Sequence, residues 1–191
     1  LNPVTKKLFF ETGDLDVGLS LDNGRRYRLN LHRNMGRVGL VARAIPSGAL
    51  NSEALMLPPA VEKFASAKRG LVLVTGSTGS GKSTTLAAAV HCVNQSRAAH
   101  IVTIEDPIEF VHRDARSRVT QREIGKDTLD YSQALREVVR QSPDVIVIGE
   151  IRDMETMKVA LSAALTGHLV LATVHTVNSV QTIQRLLGYF P

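Results

Sequence analysis

The chain has 191 residues, enough for one large domain or a medium domain with a smaller companion. Its net charge of +5 and pI near 9.7 permit nucleic acid or an anionic surface as partner. Yet aromatics are only 4% and do not interleave with the scattered arginines, so a base-stacking platform is excluded. No apolar run approaches the roughly 18 residues that span a bilayer, Leu1-Asn2-Pro3 begins no signal peptide, and the single Cys92 rules out an internal disulfide. A soluble cytosolic protein without direct membrane insertion is expected.

The first 45 residues alternate like an antiparallel sheet. Val17, Leu19 and Leu21 form one face of a strand, and Asp22-Asn23-Gly24 is a turn signal. Tyr27, Leu29 and Leu31 form the apolar face of the next strand, whose polar face carries Arg26, Arg28, Asn30 and His32. Asn34-Met35-Gly36 turns the chain again, and a third strand with Arg43 runs from Val38 to Ile45. Taken alone, these arginines read as solubilising charges. Pro46-Ser47-Gly48 and Leu57-Pro58-Pro59 bracket a linker with a short helical piece. The predicted boundaries are therefore 1–45, 46–59 and 60–191.

Beyond residue 60 helices and strands alternate, which predicts a mostly parallel sheet with helices on both faces. Leu71-Val72-Leu73-Val74 is continuously apolar, as in a strand buried on both faces. Gly76-Ser77-Thr78-Gly79-Ser80-Gly81-Lys82-Ser83-Thr84 follows, a complete match to G-x-x-x-x-G-K-[ST], and then a helix of good formers. Glycines let the backbone wrap a polyphosphate, and N–H groups at the helix start complement its charge. Residues 77–84 are thus expected to cradle a nucleoside triphosphate, with Lys82 at the β- and γ-phosphates and Ser83 ligating magnesium. Cys92 falls in that helix and reads as buried and inert, and Asn94-Gln95-Ser96 as a chance match to a glycosylation acceptor.

Later strands are Ile101-Val102-Thr103-Ile104, Val145-Ile146-Val147-Ile148 and Leu169-Val170-Leu171-Ala172-Thr173-Val174. The basic run from His112 to Arg118 is broken by Asp114 and reads as a solvated loop. Ligands of parallel sheets gather at the carboxyl ends of the strands. There the second strand gives Glu105-Asp106-Pro107-Ile108-Glu109, the third Gly149-Glu150-Ile151-Arg152-Asp153, and His168 and His175 bracket the fourth. An acidic residue right after four apolar ones usually serves magnesium or the attacking water. That position is Gly149, so Glu150 reads as a water-polarising base rather than a direct ligand. Glu105 has the form of a second acidic strand end, able to orient water or hold the hydrated metal. Glu150 is the favoured base, with the reverse assignment left open. Asp106 and Glu109 read equally as loop caps. On sequence alone each histidine reads as a hydrogen-bonded structural residue rather than a phosphate contact, and a zinc site does not fit their placement.

Four motifs in order resemble the secretion and type IV pilus motor ATPases: the Walker A loop, the acidic box Thr103-Ile104-Glu105-Asp106-Pro107-Ile108-Glu109, the Walker B element from Gly149 to Asp153, and the histidine box Thr166-Gly167-His168 through His175. Within that family the chain is most similar to the pilus-retraction ATPases, through Gly81-Lys82-Ser83-Thr84-Thr85-Leu86-Ala87-Ala88, Val119-Thr120-Gln121-Arg122-Glu123 and the closing Phe190-Pro191. The resemblance implies an α/β fold, with a RecA-like P-loop core preceded by a partial PAS-like antiparallel domain. It also implies a hexameric ring that uses ATP and Mg²⁺ and docks a pilus platform protein at the inner face of the cytoplasmic membrane. Catalytic roles follow for Glu150, Glu105, His175 and His168, and arginine-finger roles for Arg28 and Arg43. Against the family pattern, the chain is expected to begin partway through the N-terminal domain and to stop just after the first helix beyond the histidine box. Rival readings are a pilus-extension or type II secretion ATPase, a DNA-stimulated RecA-like ATPase and a non-hydrolysing regulator. Lys82, Ser83 and Glu150 disfavour the last.

Overall fold

The structure is a computed structural model that describes residues 3–23, 25–46 and 52–189. The chain divides into two compact units: Leu1–Gly48 with Pro107–Val111, and Ala49–Asp106 with His112–Pro191.

The first unit opens with a helix, α1 (Pro3–Thr12), where an antiparallel sheet is expected from the start. The overlooked signals flank it: proline at the first helical position, and Gly13 just past the end with φ +83°. Gly13 N–H closes the helix on the Phe9 carbonyl at 2.9 Å. Strands β1 (Asp14–Ser20), β2 (Arg26–Asn34) and β3 (Arg37–Ile45) then form an antiparallel meander. Its register sets Leu15 opposite Leu31, Val17 opposite Leu29 and Leu19 opposite Tyr27, so the expected apolar faces meet as cross-strand pairs. Leu21 falls just beyond β1. Met35 and Gly36 both take positive φ, at 49° and 77°, the two-residue turn that matches strand twist. Of the other turn signal Gly24 lies outside the described residues, as do Ser47 and Gly48 of the linker and the closing Phe190-Pro191.

In the second unit the short helical piece expected before Leu57-Pro58-Pro59 comes after it, as α2 (Ala60–Ala65) with Pro59 at its N-cap. Prolines are tolerated at a helix start and not inside. The rest is a five-stranded parallel sheet in the order β4 (Gly70–Thr75), β8 (Leu169–Val174), β7 (Val145–Ile148), β5 (His100–Glu105), β6 (Arg118–Glu123). The intervening helices are α3 (Lys82–Ser96), α4 (Tyr131–Val138) and α5 (Met154–Leu165), and α6 (Ser179–Leu187) follows β8.

Alternate strand residues serve opposite faces. Val145, Val147, Leu169 and Leu171 pack with Val61, Leu86, Val90 and Val93 of α2 and α3. Ile146, Ile148, Val170 and Ala172 pack with Leu135, Val138, Met157 and Ala160 of α4 and α5. The expected parallel α/β architecture with helices on both faces is the one observed. Two details differ. Strand β4 is at the sheet edge and half-buried throughout, not buried on both faces as its apolar run suggests. Strand β6 was not expected, because the pattern Arg-Val-Thr-Gln-Arg-Glu is mostly polar, as befits the other edge.

Candidate functional site at the carboxyl ends of the parallel strands

A parallel sheet has polarity, and all five carboxyl ends lie on one side. Loop 76–81 leaves β4 there and enters α3. Three of its glycines carry φ values closed to ordinary side chains: Gly76 +153°, Gly79 +79° and Gly81 +90°. At Gly76 a Cβ would lie 2.4 Å from Ser80 Oγ, so a side chain there would also displace the Ser80 hydroxyl that pins the turn. Ser80 Oγ donates to the Ser77 carbonyl at 2.7 Å. Gly81 caps α3 without any side-chain hydrogen bond, leaving the first-turn N–H groups to the loop, and no acidic residue offsets their partial positive charge. Lys82 is only 7% exposed, and its Nζ folds back to donate to the Ser77 carbonyl at 2.8 Å. Backbone donors, a helix start and a desolvated ammonium together form an anion cradle. The half-buried Ser83 follows in the same turn.

Strand β8 lies between β4 and β7, so the carboxylates approach from two and three strands away. Gly149 continues the β7 ladder by donating to the Ile104 carbonyl at 2.8 Å. A Cβ there would meet Tyr131 Oη at 3.2 Å and Glu105 Cα at 3.3 Å. A side chain directly after the strand would therefore have to push its neighbours aside by a few tenths of an ångström, and the acid falls at Glu150. Glu150 is tightly held. Its Oε2 accepts from Arg152 Nε at 2.7 Å, its Oε1 meets His175 Nε2 at 3.2 Å, and its side chain is 18% exposed. This hydrogen bond from Arg152 also raises that guanidinium above its ordinary range, so the charge is permanent. Glu105, ending β5, is held by neutral donors: Thr103 Oγ1 at 2.7 Å and Gln121 Nε2 at 3.2 Å, both to Oε1.

Tyr131 is the residue that sequence reading missed. It opens α4, whose N-cap Asp130 accepts from Gln133 N–H. Burial pushes its hydroxyl well above the ordinary tyrosine range; Asp106, Glu105 and Glu150 push the same way, against Arg152. The group therefore stays protonated among the carboxylates. No spacing rule links Tyr131 to them; the topology brings it there.

The two histidines part company. His175 follows the carboxyl end of β8 and joins Glu150. His168 precedes the amino end. Its Nδ1 lies 3.0 Å from the Ala163 carbonyl in the last turn of α5, and its own carbonyl accepts from Gly70 N–H, at the start of β4. Because β4 and β8 run parallel with Gly70 opposite Leu169 and Thr75 opposite Val174, His168 is a strand length from the phosphate loop. Within this chain the structure does not bring His168 to the phosphate loop; its ring caps the last turn of α5 instead. Arg28 and Arg43 belong to the first unit, directly opposite each other on β2 and β3, and Arg28 Nη2 is 3.8 Å from Asp16 Oδ2. Glu109 also falls in that unit, and Asp106 is exposed in the second.

Asn94 is 2% exposed, with its Oδ1 accepting from Ala115 and Ser117 N–H and its Nδ2 donating to the Arg113 carbonyl. It pins the basic loop and is sequestered from any glycosylation. Cys92 is half-buried rather than buried, with its thiol pushed up by burial. Among the described residues no group of three or more His, Cys, Asp or Glu is placed to hold a metal ion, and no helix is long and apolar enough to cross a membrane.

Residues 50–189 match the family described as type II/IV secretion system protein. The chain is 45% identical over its whole length to the twitching motility protein of Neisseria gonorrhoeae, covering 51% of that protein. It is 46% identical to the type IV pilus retraction ATPase PilT of Pseudomonas aeruginosa, covering 56%. Its structure superposes on the crystal structure of the pilus retraction motor PilT with bound ADP at a TM-score of 0.95 and 42% identity, over all of this chain and 56% of that one. The Legionella pneumophila ATPase DotB gives 0.81 at 31% identity, over 99% of this chain and 55% of that one. The chain thus spans about half the length of the curated relatives it matches. With its phosphate loop, glutamates and histidine arranged as above, the chain belongs to the type II/IV secretion system protein family.

Proposed function

We propose that the chain is the ATP-hydrolysing core of a ring-shaped motor that retracts type IV pili. What carries the reading is the placement of Glu150, held on both oxygens on the same carboxyl-end side of the sheet as an intact phosphate loop. The loop amides and Lys82 bind the polyphosphate and neutralise charge that develops as the γ-phosphoryl departs. Glu150 orients and polarises the attacking water and takes its proton. Glu105, beside Gly149, positions that water or the hydrated metal.

Magnesium fits the donors present: a Ser83 hydroxyl in the first turn after the loop and carboxylates at two strand ends are hard oxygens. Magnesium is commonly held by such groups together with substrate phosphates rather than by an all-protein cage. Ser83 would hold it directly, and Glu105 and Glu150 through water. When bound, it would supply neutralisation of the charge that develops on the polyphosphate.

Identity over the full chain to PilT and to the twitching motility protein supports retraction over extension or secretion. The same likeness supports a hexameric assembly, peripheral to the inner face of the cytoplasmic membrane and docked on the pilus platform protein. In such a ring Arg28 and Arg43 act as fingers on a site completed by a neighbouring domain or subunit, which ties hydrolysis to ring closure. Each then binds ATP normally but hydrolyses it poorly when changed to alanine, and mixing either variant with inactive Lys82→Ala protein restores activity if they act in trans. The direction of work is tested in a strain lacking the gene. Excess surface pili without twitching is the expected phenotype; bald cells overturn retraction in favour of extension, and normal pili with a secretion defect favour a secretion role.

A further inference from the structure

The two residues that flank Glu150 are themselves tied to one helix. Helix α6 leaves the loop after β8 with Asn178 as its N-cap, and Thr176 Oγ1 and Thr182 Oγ1 hydrogen-bond across its first turns. One turn further, Arg185 Nη1 donates to the His175 carbonyl at 3.1 Å. Arg185 Nε donates to Tyr189 Oη at 2.9 Å, and Tyr189 Oη donates in turn to the Arg152 carbonyl at 3.2 Å. Arg152 Nε and His175 Nε2 close on the two oxygens of Glu150. The five residues form a closed circuit: Glu150, His175, Arg185, Tyr189, Arg152.

The phenol is well suited to the join. It has one proton to give and lone pairs to receive, and the circuit uses both functions. The guanidinium of Arg185 also lies 5.9 Å from the Tyr189 ring centroid, and the ring, with Leu186, packs against the core cluster beneath the sheet. Tyr189 lies two residues beyond α6, in the turn that ends it, where its N–H donates to the Leu186 carbonyl at 3.1 Å, and from there it and Arg185 both reach back to the strand-end loops.

We infer that Arg185 and Tyr189 are positioning residues for hydrolysis: through the backbones of His175 and Arg152 they hold the Glu150 carboxylate in place, so α6 is a brace whose displacement re-aims the water-polarising group. This rests on the reading of Glu150 as the base. It goes further in making α6, which carries none of the four nucleotide motifs, a lever on turnover. Backbone carbonyls are the points of attachment, so the brace acts on the placement of the loops rather than on the chemistry of their side chains. None of the circuit's hydrogen bonds goes to the phosphate loop, so nucleotide affinity is expected to change little.

The test is steady-state ATP hydrolysis with the intact protein, wild type measured first. Tyr189→Phe keeps the ring and its packing but loses both hydrogen bonds. It should lower kcat by about tenfold, the scale on which groups that orient an active-site residue act, with KM for ATP changed less than about twofold. Arg185→Ala should match it, and Arg185→Lys, which can still reach a carbonyl, should recover part of the loss. In Glu150→Gln protein, Tyr189→Phe should cost no more than about twofold further, since residues acting through one group are non-additive. Leu186→Ala separates bracing from packing: it should lower the thermal midpoint while kcat holds. A Tyr189→Phe enzyme with wild-type kcat, a rise in KM alone, or a loss that multiplies in the Glu150→Gln background would overturn the brace while leaving the ATPase reading intact. An intact wild-type protein without any turnover overturns the ATPase reading and the brace with it.

Discussion

The two ends of strand β8 carry the same residue type and opposite architecture. At the carboxyl end His175 meets Glu150, is 39% exposed and faces the side of the sheet from which the phosphate loop springs. At the amino end His168 turns its ring onto the Ala163 carbonyl in the last turn of α5, with Thr166 Oγ1 beside it. Both belong to one sequence motif, and a count of spacing alone treats them alike. Strand polarity decides between them. Ligands of open parallel sheets gather outside the carboxyl ends of the strands, so His175, after the strand, stands on the side where chemistry is expected and His168, before it, does not. Helix C-termini, rich in unpaired carbonyls, are natural partners for an imidazole N–H.

The largest effect expected at the carboxyl end is on binding. Lys82→Ala removes the one desolvated ammonium of the loop. A charge-assisted hydrogen bond is worth about 1.5–3 kcal/mol, so ATP–Mg²⁺ affinity should fall by at least about 10- to 100-fold in calorimetric titration. Unchanged affinity would mean that the cradle does not hold the polyphosphate and would dissolve the distinction between the two ends.

Next comes turnover. Glu150→Gln preserves shape and removes the proposed proton acceptor, so ATP should still bind while hydrolysis drops by about 10²-fold or more. Glu105→Gln, at the carboxylate that accepts from Thr103 and Gln121, should lose less. The opposite ranking, with binding intact in both, would exchange the roles of the two strand ends.

Much of this contrast was legible in the residues. The buried runs of β5, β7 and β8 announced themselves by composition, and the loop between Gly76 and Lys82 by its glycines. The antiparallel meander was readable from alternation at Val17, Leu19, Tyr27, Leu29 and Leu31. What escaped had no local period. Helix α1 is signalled only by its flanking proline and glycine. Strand β6 is an edge whose polar residues pair with β5 through backbone groups that no side-chain pattern reveals. Tyr131, Arg185 and Tyr189 reach the carboxylates or their flanks through tertiary topology, across separations that sequence spacing cannot rank. At Gly149, a departure from the usual acidic strand end, the Tyr131 hydroxyl and the Glu105 backbone leave only tight space for a Cβ, a crowding that no spacing in the sequence shows.

A third histidine sharpens the contrast through pH. His112 donates its backbone N–H to Gln121 Oε1 at 2.8 Å, and Gln121 in turn donates to Glu105. Burial, with His91 adding, lowers the imidazole from 6.5 to about 4. Above pH 6.5 the ring is neutral in folded and unfolded chains alike. As pH falls toward 4 the unfolded chain takes the proton first, so stability declines across that window by up to about 3 kcal/mol. Urea unfolding midpoints measured from pH 7 to 4 should show this slope in the wild type and a shallower one in His112→Gln. Equal slopes would mean that the ring protonates as easily folded as unfolded.

The smallest effects separate the two histidines of β8 directly. In His175→Ala the Glu150 Oε1 loses its partner, while Arg152 still holds Oε2. Nucleotide binding should survive, because no phosphate contact has been removed, and turnover should fall by about tenfold, as for other groups that orient a reacting residue. His168→Ala changes something else. It strips a hydrogen bond from the end of α5 and should cost about 0.5–1.5 kcal/mol of stability, read as a lower thermal midpoint. Turnover should stay within about twofold of wild type, since the change is confined to the far end of the sheet. Each variant therefore moves the quantity that the other leaves alone, and measuring both quantities on both proteins makes the comparison self-checking. If His168→Ala matched His175→Ala in lost turnover without losing stability, strand polarity would not be what divides this motif, and His168 would have to reach a reacting phosphate by another route, such as the site of a neighbouring subunit.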